Sequence, residues 1–132
     1  NVMYVGDSIT DVQPFQLVRK NGGLTISFNG NEYAIREAEI AVLSSNTIVT
    51  SVLAEVFSRF GKSHVIRLVE EWSHSRLKKY CATSMLRERM LKLYPKTLPQ
   101  VEIITASNRE RLKKESSAFR KNVRGEAIGK LG

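Results

Sequence analysis

Three short apolar segments alternate with two helical patterns in the first 46 residues, and this alternation limits the fold more than any other feature. The segments VMYVG (2–6), LTISF (24–28) and EIAVLS (39–44) have the length and the apolar or β-branched character of buried strands. The stretches between them, which begin at DVQPF and EYAIRE, have apolar residues at helical spacing. Strand–helix–strand wiring of this kind predicts a parallel sheet. We therefore expect an α/β fold, with a partial Rossmann-like three-layer domain over residues 1–46.

The pattern changes after Asn46, where helical signals predominate. Apolar residues recur at helical spacing in four stretches, near 48–60, 64–73, 75–93 and 107–123. We therefore expect an all-helical second half, residues 47–132, with a basic surface. Two stretches give weaker signals. KTLPQVEIITA (96–106) fits a strand, a loop or a helix start, and VRGEAIGKLG (123–132) predicts an irregular tail.

The formal net charge of +8 is unevenly distributed along the chain. Residues 1–61 contain four basic and six acidic residues, a net charge of −2, whereas the remainder contains 17 basic and seven acidic residues, a net charge of +10. Such an asymmetry predicts two parts with different roles. The basic half would suit nucleic acid or another acidic surface. A solvated helical face rich in lysine and arginine explains the same charges, and we favour that explanation over nucleic acid.

The single cysteine, Cys81, excludes an internal disulfide and is expected to be a buried apolar residue. No apolar run approaches the ~20 residues of a membrane span, and no signal peptide is visible. We therefore expect a protein of the reducing cytoplasm that makes no membrane contact.

The segment GDSITD (6–11) follows the first predicted strand and permits two interpretations. In the first, Ser8 is a nucleophile, as in the lipase-like hydrolases that begin with Gly-Asp-Ser. That chemistry requires a histidine base oriented by a carboxylate. No aspartate follows Asp11 in the chain, and neither His64 nor His74 has an aspartate three residues before it. The residues that are present therefore argue against a serine hydrolase.

In the second interpretation, Asp7 and Asp11 bind a divalent cation. Mg²⁺ prefers carboxylate oxygens and water, and one or two protein carboxylates commonly suffice. Asp7 comes directly after a strand, and Asp11 lies in the first turn of the next helix. Both therefore belong to the carboxyl edge of the sheet, where open α/β folds bind their ligands. The structural alternative is that Asp11 caps the helix and Asp7 forms the turn.

The sequence VGDSITD (5–11) resembles the fourth motif of the haloacid dehalogenase (HAD) superfamily of phosphohydrolases. The stretch NGGLTISFNGNEYAIREAEIAVLSSN (21–46) is similar to the segment that follows this motif in archaeal and bacterial HAD phosphatases. The resemblance implies that Asp7 is a direct Mg²⁺ ligand and that Asp11 supports the metal, directly or through water. It also implies that Ser8, Asn29 and Asn31 lie on the substrate or phosphate side.

The chain lacks the other motifs of that family. The family's nucleophile is the first Asp of an Asp-x-Asp motif, a later Ser or Thr and a Lys hold the phosphoryl group, and all of them precede motif four. Here only six residues precede Asp7, and no Asp-x-Asp occurs anywhere. We therefore predict the Mg²⁺-binding portion of a HAD-like phosphatase, without catalytic residues of its own and inactive alone because the gene is split or the chain is cut. The substrate of the complete enzyme would be a phosphorylated small molecule.

Segment 2–6 would then be an apolar edge strand, because the family pairs this strand with the one that carries the nucleophile. Open N–H and C=O groups on such an edge favour association. We expect the missing N-terminal half, or a second copy of this chain in a homodimer, to pair with it. A function of another class also remains open, namely a non-catalytic interaction module whose basic helices bind a protein or nucleic-acid partner.

Overall fold

The computed structural model describes residues 1–80 and 84–131, so Cys81 lies outside the described part of the chain. Four strands and seven α-helices are described in it. In chain order they are β1 (Met3–Gly6), a 3-10 turn (Ile9–Asp11), α1 (Val12–Lys20), β2 (Leu24–Phe28), α2 (Glu32–Glu37), β3 (Ile40–Leu43), α3 (Ile48–Phe60), α4 (Lys62–Glu70), α5 (His74–Tyr80), α6 (Ser84–Leu93), β4 (Gln100–Ile103) and α7 (Arg109–Leu131).

The strands form one sheet in the order β1-β2-β3-β4. The first three strands are parallel, with Val5 opposite Ile26 and Ile26 opposite Ile40, which confirms the predicted α/β fold. The structure departs from the expected all-helical second half at one place, because β4 joins the sheet antiparallel to β3. This strand comes from the stretch 96–106, whose signal was undecided. Its β-branched residues Val101 and Ile103 lie opposite Val42 and Ile40, and cross-strand pairs of this kind stabilise a strand.

Alternating side chains of the sheet contribute to two hydrophobic cores, one on each face. Ile26, Ile40 and Val42 pack in the core that includes residues of α3, α4, α5 and α6. Ala41 and Leu43 pack in the other core, with residues of α1, α2 and α7. The helices of residues 47–132 therefore cover both faces of the sheet. This arrangement gives the predicted three layers, and the segments 1–46 and 47–132 share both cores.

Helix α7 extends from Arg109 to Leu131, so the predicted irregular tail over residues 123–132 is wrong as far as the chain is described. Helix α7 contains two glycines, Gly125 and Gly129, a residue type that disfavours helix. A glycine in a helix costs only about 1 kcal/mol relative to alanine, however, and no proline interrupts the segment. No helix among the described residues is long and apolar enough to cross a membrane.

Strand β1 lies at one edge of the sheet, which confirms the predicted position of segment 2–6. Among the described residues, no strand pairs with its outer side. Val2 and Val5 are 56% and 38% exposed there. Two clefts flank this edge, one of about 410 Å³ that includes Val2 and Leu17, and one of about 460 Å³ that includes Met3 and Phe57. The edge is therefore open, partly apolar and accessible from both faces of the sheet.

Candidate metal site

The carboxyl ends of the parallel strands bring the predicted site residues to one edge of the sheet. Asp7 follows β1, and Asn29 and Asn31 follow β2. The N–H of Asn31 donates to the carbonyl oxygen of Asp7 at 2.9 Å, which joins the two loops directly. The structure thus places Asp7, Asn29 and Asn31 in adjacent loops, at the edge where ligands of open α/β folds bind.

The side chain of Asp11 organises the loop after β1. Its Oδ1 accepts a hydrogen bond from the Tyr4 hydroxyl at 2.6 Å, and its Oδ2 accepts from the N–H groups of Asp7 at 2.7 Å and Ser8 at 3.0 Å. Gly6 is required at this point, because a Cβ there would lie 2.7 Å from both Cβ and Oδ2 of Asp11. Asp11 therefore holds together the end of β1 and the turn that follows it.

These hydrogen bonds determine how Asp11 and Tyr4 ionise. Burial alone would raise the pKa of Asp11, but the hydrogen bonds from Tyr4 and from the N–H groups of Asp7 and Ser8 outweigh it, so the pKa of Asp11 is lowered. The hydrogen bond to Asp11, followed by burial, raises the pKa of the Tyr4 hydroxyl. At neutral pH Asp11 is a carboxylate and Tyr4 is its proton donor, and the Tyr4 ring rests edge-on against Phe15 at 5.5 Å between centroids.

The side chain of Asp7 is 50% exposed and forms an ion pair with Arg120 of α7, with 3.0 Å between Oδ2 and Nη1. The same Nη1 donates to the carbonyl oxygens of Asp7 at 2.9 Å and Asn29 at 3.2 Å. Arg120 is itself only 15% exposed, so water is partly excluded from this contact, although the carboxylate of Asp7 is half exposed. Sequence reasoning missed Arg120, because it lies 113 positions from Asp7 within an ordinary run of basic residues.

The remaining predicted residues serve the loops themselves. The Asn29 side chain bonds both backbone groups of Ser44, donating to its carbonyl at 2.8 Å and accepting from its N–H at 2.9 Å. Asn29 also has a positive φ of 50°, which asparagine tolerates better than most residues. The Asn31 side chain caps α2 by accepting from the N–H groups of Tyr33 and Ala34. Both amides therefore fix the edge of the sheet, and the prediction that they face a substrate stays a prediction.

The Ser8 hydroxyl lies 3.0 Å from the Thr10 hydroxyl, a group that cannot serve as a general base. The prediction that Ser8 lies on the phosphate side stays open.

The donor set fits a divalent cation in part. Asp7 offers a half-exposed carboxylate, whereas Asp11 already accepts three hydrogen bonds. Within residues 1–80 and 84–131, no group of three or more His, Cys, Asp or Glu side chains is arranged to hold a metal ion. Mg²⁺ commonly takes one or two protein carboxylates and completes its shell with water and substrate phosphate. Asp7 therefore fits as one ligand, and Asp11 fits as the residue that shapes the loop around it.

Comparison with known proteins adds a structural relative. No family model and no curated protein matches the chain. A solved structure, that of gene product AF1437 from Archaeoglobus fulgidus, is similar to 93% of this chain, with a TM-score of 0.68 and 25% sequence identity. The match covers 32% of that protein, so the present chain spans about a third of its length.

The lowered pKa of Asp11 predicts an acid-sensitive contribution to stability. A group whose pKa is lower in the folded state stabilises the fold above its unfolded pKa of about 3.9, and this contribution is lost as pH falls through the folded value. We expect Asp11→Asn to reduce the free energy of unfolding by about 2 kcal/mol at neutral pH, because hydrogen bonds to a charged acceptor are lost. Urea unfolding followed by circular dichroism should show this difference shrinking below about pH 4.

Thr10→Ala is the matched control for this experiment, because Thr10 lies in the same turn and is exposed. It should change the free energy of unfolding by about 0.5 kcal/mol or less at either pH. A loss in Asp11→Asn that is independent of pH would contradict a role for the carboxylate charge.

Proposed function

We propose that this chain is the magnesium-binding portion of a HAD-like phosphoester hydrolase whose nucleophile comes from another segment. One observation carries the proposal. Asp7 has a half-exposed carboxylate at the carboxyl edge of a parallel sheet. Its loop is held by hydrogen bonds from the N–H groups of Asp7 and Ser8 to Asp11, which lies four positions after Asp7 as in the Gly-Asp-x-x-x-Asp motif. The structural relative supports this proposal in one respect, because there a fold similar to this one occurs within a chain about three times as long.

The chemistry of the site follows from charge. A phosphoryl group in transfer carries negative charge on its oxygens, and a bound Mg²⁺ would stabilise that charge and orient the group. Asp7 would hold the cation, Asp11 would hold Asp7's loop in place, and Ser8 would lie toward the phosphate. The substrate class is a phosphorylated small molecule. The chain contributes no nucleophile and should be inactive alone.

Activity of the completed assembly tests this proposal. We expect the chain combined with the half that carries the nucleophile to hydrolyse p-nitrophenyl phosphate only when Mg²⁺ is present. Asp7→Ala should lower turnover by about 100-fold or more, because even supporting residues of metal sites have effects approaching that size. Thr10→Ala, in the same turn, should retain turnover. Metal-independent hydrolysis, or full activity in Asp7→Ala, would refute the magnesium assignment.

The open edge of β1 is the surface through which we propose that the assembly forms. An added strand would pair with the free N–H and C=O groups of β1, and apolar side chains of the partner would enter the two flanking clefts. The partner is the missing N-terminal half or, when that half is absent, a second copy of this chain.

Light scattering coupled to gel filtration measures this association. We expect Val5→Lys to raise the dissociation constant by about tenfold or more, because an edge lysine disfavours strand pairing. Leu93→Lys is the control, since Leu93 is 48% exposed but lies at the end of α6. A chain that remains monomeric with every candidate partner would contradict the proposal.

A second function, a non-catalytic module that binds nucleic acid through basic helices, is favoured by one observation. Between His74 and Lys96 the sequence contains seven basic residues and a single acidic one, Glu88. Of these basic residues, only Arg76 has an ion pair with an acidic side chain in the described part of the chain. Arg87 of α6 donates to the backbone carbonyl oxygen of Lys78 in α5, so the two basic helices are in contact. A phosphate backbone would neutralise such a surface.

Fluorescence anisotropy with a labelled RNA or DNA oligonucleotide tests this function. We expect the double substitution Lys78→Glu and Lys79→Glu to weaken binding by tenfold or more, about the loss that raising salt from ~50 to ~200 mM causes when a few phosphates are neutralised. The control is Lys114→Glu with Lys121→Glu, which changes the net charge equally at exposed positions of α7. Equal losses in the two variants would indicate a net-charge effect and would reject a specific surface.

A further inference from the structure

Helix α7 reaches the candidate metal site through two residues on one of its faces. Ser116 is fully buried and donates its hydroxyl to the carbonyl oxygen of Gly30 at 2.6 Å. Arg120, one helical turn later, donates to the carbonyl oxygens of Asp7 and Asn29. Position 30 has no room for a side chain, because a Cβ there would overlap the Ser27 hydroxyl and lie 2.7 Å from the Ala34 Cβ. The helix is therefore fastened to the loops that follow β1 and β2.

Helix α7 is also held to the loop after β1 by an ion pair. Arg120 places its guanidinium 3.0 Å from the Asp7 carboxylate, in a contact where the arginine side chain is 15% exposed. Opposite charges this close interact more strongly when water is partly excluded. The positive charge that a metal ion would bring to Asp7 is thus already supplied by the chain.

We propose that Arg120 is a built-in counter-ion that competes with Mg²⁺ for Asp7, so that metal binding and the docking of α7 oppose each other. This inference rests on the proposed role of Asp7 as a metal ligand. It adds that Arg120 and a metal ion are alternative partners of the same carboxylate. Binding of the cation exchanges one positive partner of Asp7 for another.

Competition follows from the way Arg120 is held. One nitrogen, Nη1, serves the carboxylate of Asp7 and two backbone carbonyls, so it cannot leave the carboxylate without disturbing its bonds to both loops. A divalent cation bound to Asp7 would repel the Arg120 guanidinium, because the two positive charges would lie close together where water is partly excluded. Coupling between two binding events is reciprocal, so if the cation loosens the docking of α7 through Arg120, loosening that same contact must strengthen the binding of the cation.

Amide NMR of the full chain tests the inference without any enzymatic assay. MgCl₂ is titrated at ionic strength matched with KCl, and the shifts of the amides of Gly6, Asp7 and Ser8 give the dissociation constant. We expect Arg120→Gln to tighten Mg²⁺ binding by about tenfold, because it removes a positive charge that lies within a few ångströms of the incoming cation and repels it. Arg120→Lys, which retains the charge, should stay close to the wild type.

Lys121→Gln is the matched control, because Lys121 is the adjacent, exposed cation of α7 and its loss changes the net charge equally. It should leave Mg²⁺ binding unchanged. A second measurement needs no variant at Arg120: hydrogen exchange of the amides around Ser116 should become faster when Mg²⁺ saturates the wild-type chain.

The outcomes separate this inference from the proposed function. If Mg²⁺ binds and Asp7→Asn abolishes that binding, but Arg120→Gln weakens it, then Arg120 supports the metal and competition is refuted. Unchanged exchange around Ser116 at saturating Mg²⁺ also refutes it. If neither the wild type nor Arg120→Gln binds Mg²⁺ at the loop, the metal assignment of Asp7 fails, and the inference fails with it.

Discussion

The carboxylate of Asp11 determines the shape of the loop on which the candidate site depends. At the end of β1 the N–H groups of Asp7 and Ser8 have left the sheet and need acceptors, and Asp11 provides one oxygen for both. Its other oxygen is fixed by Tyr4 on the strand itself. Gly6 leaves the space that this arrangement needs. With Asp11 turned back onto the backbone, Asp7 remains as the half-exposed carboxylate of the loop, paired with Arg120.

Some of the unevenly distributed charges pair with each other inside the folded chain. The acidic first half meets the basic second half in the pair of Asp7 with Arg120 and in the pair of Glu39 with Lys62, whose charged atoms lie 2.6 Å apart. In α7, Arg111 likewise pairs with Glu102 and Glu115, and the hydrogen bond from Arg111 holds the pKa of Glu102 below its usual value. The cations of α5 and α6 differ in lacking such acidic partners, apart from Arg76, among the described residues.

The sequence was informative where local signals suffice. Strands β1 to β3, their parallel order and the shared edge that carries Asp7 and Asn29 follow from alternation and chain topology. The roles of Asn29 and Asn31 could not be predicted from the sequence. An asparagine beside a turn can bind a ligand, cap a helix or link two loops by hydrogen bonds, and the local sequence does not distinguish these roles. Strand β4 was undecided because its four residues are stabilised by pairing with β3, a contact that lies far away in sequence. Arg120 was not predictable, since nothing in its own neighbourhood distinguishes it from other arginines on α7.

The contact between Asp7 and Arg120 spans 113 positions of the chain, and this has a consequence for biosynthesis. Polypeptides emerge from the ribosome amino end first, and local elements can form before distant ones exist. The Asp7 loop is therefore synthesised 113 residues before the arginine that contacts it. Until Arg120 has been added, the nascent loop carries a carboxylate that lacks this partner, and its electrostatic environment changes when α7 is made.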